Sequence, residues 1–299
     1  MTYSEIWHRI ATSYDDGEAR AIARILIEEL FGLSYADIVC GATEQLSADD
    51  TLRLDTAVRR IEQGEPLQHV LGYADFCGNR FCVNGSVLIP RPETEWLVDE
   101  GAKLMDGCIA SDEMQHKAPH SPKRILDIGT GSGCIAISLK LRLGDAYVEA
   151  WDISEEALRT AQDNADALKA EVVFRKRDAL RADNTAAPWD LIVSNPPYIC
   201  DSERSAMDDN VLLHEPHTAL FVPDDDPLRF YRAIARYALL TLNIGGNLLF
   251  ECNTRYAEAT GTMLRDMGFE EVTVSDDCFG LPRFVRGSSP SQPSPSGRA

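Results

Sequence analysis

Residues 124–133 read Arg-Ile-Leu-Asp-Ile-Gly-Thr-Gly-Ser-Gly, and residues 134–143 continue at helical spacing. An apolar strand over 124–128 therefore runs into a turn with glycine at 129, 131 and 133, and then into a helix. Glycine in such a turn permits positive φ and lets the backbone approach a ligand closely, with helix N–H groups just behind. The dinucleotide fingerprint G-x-G-x-x-G fails at its sixth position, which is Cys134. The acid ahead of the loop, Asp127, suits a cationic nucleoside ligand instead. Asp152 closes the next strand, about 20 residues on, where a carboxylate bonds ribose hydroxyls in this topology. Asp178 ends the third strand, where an adenine ring would lie. S-adenosylmethionine, which carries a sulfonium and an ammonium, answers that description. A glycine turn that served only strand-to-helix packing would not need three strand-end carboxylates.

Outward from this turn, strands alternate with helices. Strands are expected over 147–152, 172–175, 190–194, 247–251 and 271–275. Helices are expected over 155–169 (capped by Ser154), 228–242 and 256–267. The alternation predicts an α/β fold, a doubly wound, Rossmann-like parallel sheet, over residues 90–286. Residues 1–72 read as a separate all-helical domain. Its apolar positions in 18–31 have helical spacing, and Ser47 caps a helix that Gly64 and Pro66 end. Residues 73–89, broken at Gly78-Asn79 and Asn84-Gly85, read as a β-hairpin linker. A helix follows over 94–105, then a polar surface excursion over 106–123. Residues 287–299 are rich in Ser, Pro and Gly and read as a disordered tail.

The chain has 299 residues, of which 44% are hydrophobic, enough for a packed core and for two domains. Its net charge of −19, from 48 acidic against 29 basic side chains, argues against holding a nucleic acid by charge. A basic protein partner or a cationic small molecule fits better. Eight cysteines without a C-x-x-C pair read as reduced cytoplasmic thiols rather than a zinc site or disulfide frame. Neither a signal-peptide core nor a run of roughly 18 apolar residues is present, so no membrane association is expected. His69, His214 and His217 lack metal-site spacing and read as surface or loop residues, so no metal is expected.

The fourth strand ends in Ser194-Asn195-Pro196-Pro197-Tyr198. Two prolines fix φ and remove two backbone donors, so the turn presents carbonyl oxygens outward. Asn195 adds an acceptor and Tyr198 a stacking face. Such a set would grip a planar –NH2 group, one hydrogen on the Asn195 oxygen and one on the Pro196 carbonyl. An ordinary Pro-Pro loop capped by an Asn is the plain alternative. Nearby, Arg91, Glu93 and Thr94 read either as a segment closing over the methionine end of the cofactor or as a helix start.

These motifs, with Leu88-Ile-Pro-Arg-Pro-Glu-Thr-Glu95 and Glu215-Pro216, resemble the N(5)-glutamine methyltransferases of peptide chain release factors, the PrmC/HemK family. The resemblance runs from the helical N-terminus to about residue 286. It implies a class I methyltransferase that methylates the glutamine amide of a release factor's Gly-Gly-Gln motif, leaving S-adenosylhomocysteine. It also implies cofactor contacts from Asp127, Gly129, Thr130, Gly131, Ser132, Gly133, Asp152, Ile153, Asp178, Ala179 and Asn195. Asn195, Pro196, Pro197 and Tyr198 would bind the glutamine, with Asn195, Pro196 and Tyr198 catalytic, and the 1–72 domain would recognise the protein substrate. Some members carry a bulky aromatic where Ala179 stands, so one face of the adenine would be covered differently here. Rival readings are glutamine methylation of a ribosomal protein, amino-adenine methylation of DNA, and a non-catalytic cofactor-binding adaptor. The DNA reading lacks a basic stripe, and the adaptor would not need the acceptor geometry of the turn.

Overall fold

A computed structural model of the chain describes residues 1–113, 122–182, 188–207 and 209–291. They form two compact units. One comprises Met1–Tyr73, Val83–Gly85 and Ala206–Glu215; the other comprises Ala74–Cys82, Ser86–Ser205 and the chain from Pro216 onward. The membership of 206–215 in the first unit is hidden in a reading that follows chain order.

The first unit is helical, with helices Tyr3–Ile10, Asp16–Phe31, Tyr35–Val39, Ala48–Glu62 and Leu67–Leu71. Thr2, Asp15, Ser34 and Ser47 each cap a helix by accepting a first-turn amide, worth about 1 kcal/mol apiece. The second helix starts before residue 18 because Asp15 supplies its cap. Ile6, Leu26, Ile27, Leu54, Val58 and Ile61 meet in a fully buried core. His69 is buried in the last helix, not on the surface, because its helix packs inward on that side.

The second unit holds a seven-stranded sheet: β1 Arg124–Ile128, β2 Tyr147–Asp152, β3 Val172–Lys176, β4 Trp189–Ser194, β5 Leu242–Glu251, β6 Glu270–Asp276 and β7 Pro282–Ser288. Their spatial order is β6-β7-β5-β4-β1-β2-β3. Five strands are parallel; β7 lies antiparallel between β5 and β6. The doubly wound, mostly parallel sheet is as expected; this antiparallel last strand is the element the sequence reading does not contain. Its Phe284 and Val285 are buried, and Phe284 stacks on Trp96 at 4.3 Å. The pairing runs through Ser288, past the expected boundary at 286, because Ser288 pairs with Asn247 and the Ser289 N–H reaches the Gly246 carbonyl at 2.8 Å. Residues 292–299 of the expected tail lie outside the described residues.

Strand side chains alternate between two cores, as a period of two dictates. Ile125, Val148, Leu191 and Leu249 pack on one face with helices Glu95–Glu113, Cys134–Leu143 and Glu155–Leu168. Leu126, Trp151, Ile192 and Phe250 pack on the other with Arg229–Thr241 and Ala257–Met267. Helix Glu95–Glu113 continues through the first part of the expected 106–123 excursion, since no proline interrupts it before residue 119; 114–121 lie outside the described residues. The strands Tyr73–Phe76 and Asn79–Cys82 pair across Cys77 and Gly78, both at positive φ. Asn164 holds Cys82 by two hydrogen bonds, 2.6 and 3.0 Å, and donates to the Ser132 carbonyl at 2.9 Å. That one buried amide fixes the hairpin to the glycine turn. Because β1 and β4 are adjacent and their crossovers diverge, their C-terminal ends open a crevice, the usual ligand position of an open α/β sheet.

Candidate active site

The glycine turn follows β1 and the Asn-Pro-Pro-Tyr turn follows β4, so sheet pairing alone brings them together. The Ser194 hydroxyl donates to the Ile128 carbonyl at 2.6 Å and locks the two strand ends. A methyl group at Gly129 would lie 3.9 Å from the Asn195 carbonyl oxygen.

Backbone bonds shape the glycine turn. The Gly129 and Thr130 N–H groups donate to the Trp151 carbonyl at 2.8 and 2.9 Å. The Gly131 N–H donates to Asp152 Oδ2, and the Ser154 N–H to Asp152 Oδ1, both at 2.9 Å. Burial raises the Asp152 carboxyl above the usual range, against the pull of these amides. The glycines differ in purpose. Gly131, at φ +54°, faces open space, with nothing within 4 Å of where a Cβ would stand. Gly133, at φ +82°, is a packing position: a Cβ there would meet Ile137 Cδ1 at 2.9 Å and Ala161 Cβ at 3.1 Å.

A cavity of about 350 Å³ lies over these turns. Of the residues expected to bind the cofactor, Gly129, Gly131, Asp152, Ile153, Asp178, Ala179 and Asn195 line it, with Pro196 and Pro197. Asp178 caps a short 3-10 turn by accepting the Leu180 N–H at 2.8 Å. Beside Ala179, the small residue, Phe230 and Ile234 of helix Arg229–Thr241 contribute to the wall. Val87 and Leu88 also contribute; Arg91, Glu93 and Thr94 do not. In the sequence, Phe230 and Ile234 carry only the spacing of helix-core residues.

Asp127, Thr130, Ser132, Gly133 and Tyr198 do not line the cavity. The first three are buried behind the turn. Thr130 donates to Asp127 Oδ2 at 2.6 Å, while Asp127 Oδ1 finds no hydrogen-bond partner among the described residues. Burial pushes the Asp127 carboxyl up to about 7 despite the Thr130 hydroxyl and the Ala136 amide. A buried carboxylate behind the turn, the Asp152 and Asp178 carboxylates in the cavity wall and the open backbone at Gly131 together fit a ligand that brings positive charge. S-adenosylmethionine is such a ligand.

Around the Asn-Pro-Pro-Tyr turn the supports are side chains. The Asn195 amide Nδ2 donates to the Thr94 hydroxyl at 3.5 Å, and Thr94 donates to Glu251 Oε2 at 2.7 Å. The Tyr198 hydroxyl donates to Glu251 Oε1 at 3.3 Å, and the Tyr198 N–H to the Leu220 carbonyl at 3.2 Å. Thr94 thus faces this turn and not the cofactor cavity. Glu251 was missed in the sequence, where it read only as the polar end of a strand.

Comparison with known proteins places the chain. Residues 8–72 match the PrmC N-terminal domain and residues 96–220 the methyltransferase small domain. A release factor glutamine methyltransferase of Bacteroides thetaiotaomicron is 43% identical over 91% of this chain and 93% of its own length. One of Flavobacterium psychrophilum is 36% identical over 93% and 94%. A methyltransferase structure from Pyrococcus furiosus, 13% identical, superposes with a TM-score of 0.51 over 82% of this chain and 100% of its own, which supports the class I fold. With the fold, the two turns and these relatives in agreement, the chain belongs to the release factor glutamine methyltransferases, enzymes that use S-adenosylmethionine.

Proposed function

We propose that the chain methylates the side-chain amide nitrogen of the glutamine in a release factor's Gly-Gly-Gln motif, with Asn195, Pro196 and Pro197 as the seat of that amide and Tyr198, expected there from the sequence but not lining the cavity, anchoring the turn through Glu251. The observation that carries this reading is the meeting of the glycine turn and the Asn-Pro-Pro-Tyr turn in one cavity. Bound there, S-adenosylmethionine supplies an electrophilic methyl group on a sulfonium. Asp152 keeps lone pairs on both oxygens beyond the two amides it accepts, and these suit ribose hydroxyls. Asp178 and Ala179 border the space for the base, and Asp127 compensates positive charge from behind the turn.

The amide nitrogen is a poor nucleophile because its lone pair is conjugated. Asn195 Oδ1 and the Pro196 carbonyl each accept one amide hydrogen, which lets the nitrogen become tetrahedral with its lone pair directed at the methyl group. Positioning of this kind can supply on the order of 7–11 kcal/mol of a barrier. Val87, Leu88 and Phe230 give the cavity an apolar wall, and such a wall favours a reaction that disperses charge. No base is needed before attack: as the N–CH3 bond forms, the S–CH3 bond would break with its electron pair left on sulfur, and the strongly acidic proton of the methylated amide, held on Asn195 Oδ1, is then lost to solvent water. Neither a covalent intermediate nor a metal enters this scheme. The helical unit recognises the release factor, and the net charge of −19 favours a protein partner over direct contact with nucleic acid. Because the substrate is a translation factor, we place the reaction in the cytoplasm, away from membranes; among the described residues no helix is long and apolar enough to cross one.

Mass spectrometry of a purified release factor incubated with the protein and S-adenosylmethionine tests the reading. One added methyl group on the Gly-Gly-Gln glutamine is expected; label on a ribosomal protein or on DNA instead would overturn the substrate and keep the chemistry.

A further inference from the structure

Behind the Asn-Pro-Pro-Tyr turn lies a carboxylate that the reaction as described leaves unused. Glu251 is 1% exposed. Its hydrogen bonds come from hydroxyls: Thr94 on Oε2 at 2.7 Å and Tyr198 on Oε1 at 3.3 Å. Arg283, the cation nearest in effect, is bonded to Asp277 at 2.7 Å. Burying a carboxylate is costly, and one held by hydroxyls rather than by a bonded cation is a position with a purpose to explain.

Hydrogen-bond polarity supplies one. A threonine hydroxyl has a single hydrogen. Given to Glu251, it leaves the Thr94 oxygen able only to accept, and the group facing it is the Asn195 amide, with Nδ2 at 3.5 Å. An amide whose NH2 is held on one side presents its oxygen on the other. We propose that Glu251, acting through Thr94, is a positioning residue that fixes the Asn195 amide so that Oδ1, and not Nδ2, meets the substrate –NH2. The same carboxylate takes the Tyr198 hydroxyl, so it secures both ends of the turn. The inference rests on the reading of Asn195 as the amide acceptor. Without the Thr94 hydroxyl, Nδ2 would face an apolar group. The amide would then turn its NH2 toward the cavity and set donor against donor.

Four proteins decide the matter: wild type, Thr94→Val, Thr94→Ser and Asn195→Ala. For each, the turnover rate and KM on a purified release factor are measured, with S-adenosylmethionine affinity by calorimetry. Thr94→Val should lower the rate about tenfold, the value of one lost hydrogen bond with its orientation, with KM and cofactor affinity within about twofold of wild type. Thr94→Ser, which restores the hydroxyl, should return the rate. A Thr94→Val protein at the wild-type rate, beside an inactive Asn195→Ala, overturns the positioning role. Asn195→Ala at the wild-type rate would instead remove the underlying reading of the turn. Glu251→Gln gives an independent route should Thr94→Val not fold. Its amide can donate to Thr94 and free that hydroxyl's hydrogen, so the rate should fall with KM and cofactor affinity kept. An unchanged rate in Glu251→Gln likewise overturns the proposal.

Discussion

The two turns of the site sit at the ends of neighbouring strands and differ in where their supports come from, the next strand for one and segments remote in sequence for the other. The glycine turn is a backbone object: Gly129, Thr130 and Gly131 hang from Trp151 and Asp152 of the adjacent strand. The Asn-Pro-Pro-Tyr turn is held by side chains, through Thr94 near the start of helix Glu95–Glu113 and Glu251 at the end of β5. The first needs small residues and sheet register. The second needs particular functional groups from segments remote in sequence. Damage to the first should therefore appear as lost stability or cofactor affinity, and damage to the second as lost turnover in a folded, cofactor-binding protein.

Gly133→Ala should give the largest loss of stability. A left-handed φ costs a non-glycine residue about 1–2 kcal/mol, and overpacking against Ile137 and Ala161 adds roughly as much, for about 2–4 kcal/mol in a denaturant titration. Gly131→Ala meets no neighbour, so about 1–2 kcal/mol of backbone strain is all the free protein should lose. Equal losses at the two positions would break the distinction between a packing glycine and a ligand-facing one.

Asp152→Ala strands two amide donors and removes the acceptor for a ribose. Calorimetry should show cofactor affinity about 10–50-fold weaker, with turnover at saturating cofactor reduced only severalfold. If turnover fell as far as affinity, the division of labour between the turns would not hold.

Asp127 gives the smallest effect and a defined pH dependence. Its folded pKa of about 7 lies above the usual carboxylate value of 3.8, so the free protein binds an extra proton there. Stability from this group is full below the unfolded pKa and is lost as pH rises toward 7. Cofactor binding, which favours the ionised form, should run the other way, about tenfold weaker near pH 6 than near pH 8. Asp127→Asn should flatten both profiles; an unchanged slope in calorimetry would show that another group titrates.

What the sequence revealed follows the same division. The glycine turn, the helix over Cys134–Leu143 and the carboxylate of Asp152 were legible because their interactions are made within a strand-turn-helix unit or by the next strand. Helix starts at Ser47 and Ser154 were legible from their caps. Strand β7 was not, since it opens on Pro282 and closes on Gly287 and Ser288, residues that read as a loop and tail. Glu251 was invisible as part of the site because its partners stand 157 and 53 residues away along the chain. Of the two sequence readings of Thr94, a helix start and a segment over the cofactor, the structure bears out the helix start; that the residue faces Asn195 is visible only in the fold. Phe230 and Ile234 carry no signal beyond helical spacing, and their place in the cavity wall is a product of packing.

Asn195 is the residue on which the proposed chemistry rests. Single-turnover methylation of a purified release factor should be compared between wild type and Asn195→Ala at saturating S-adenosylmethionine, with cofactor affinity measured on the same preparations. A rate roughly 10²–10³-fold lower is expected, the scale seen when a group acting on the transition state is removed, with cofactor affinity within a few-fold of wild type. A rate and an affinity that fall together, or a rate that does not fall, would contradict the claim that this turn holds the amide being methylated.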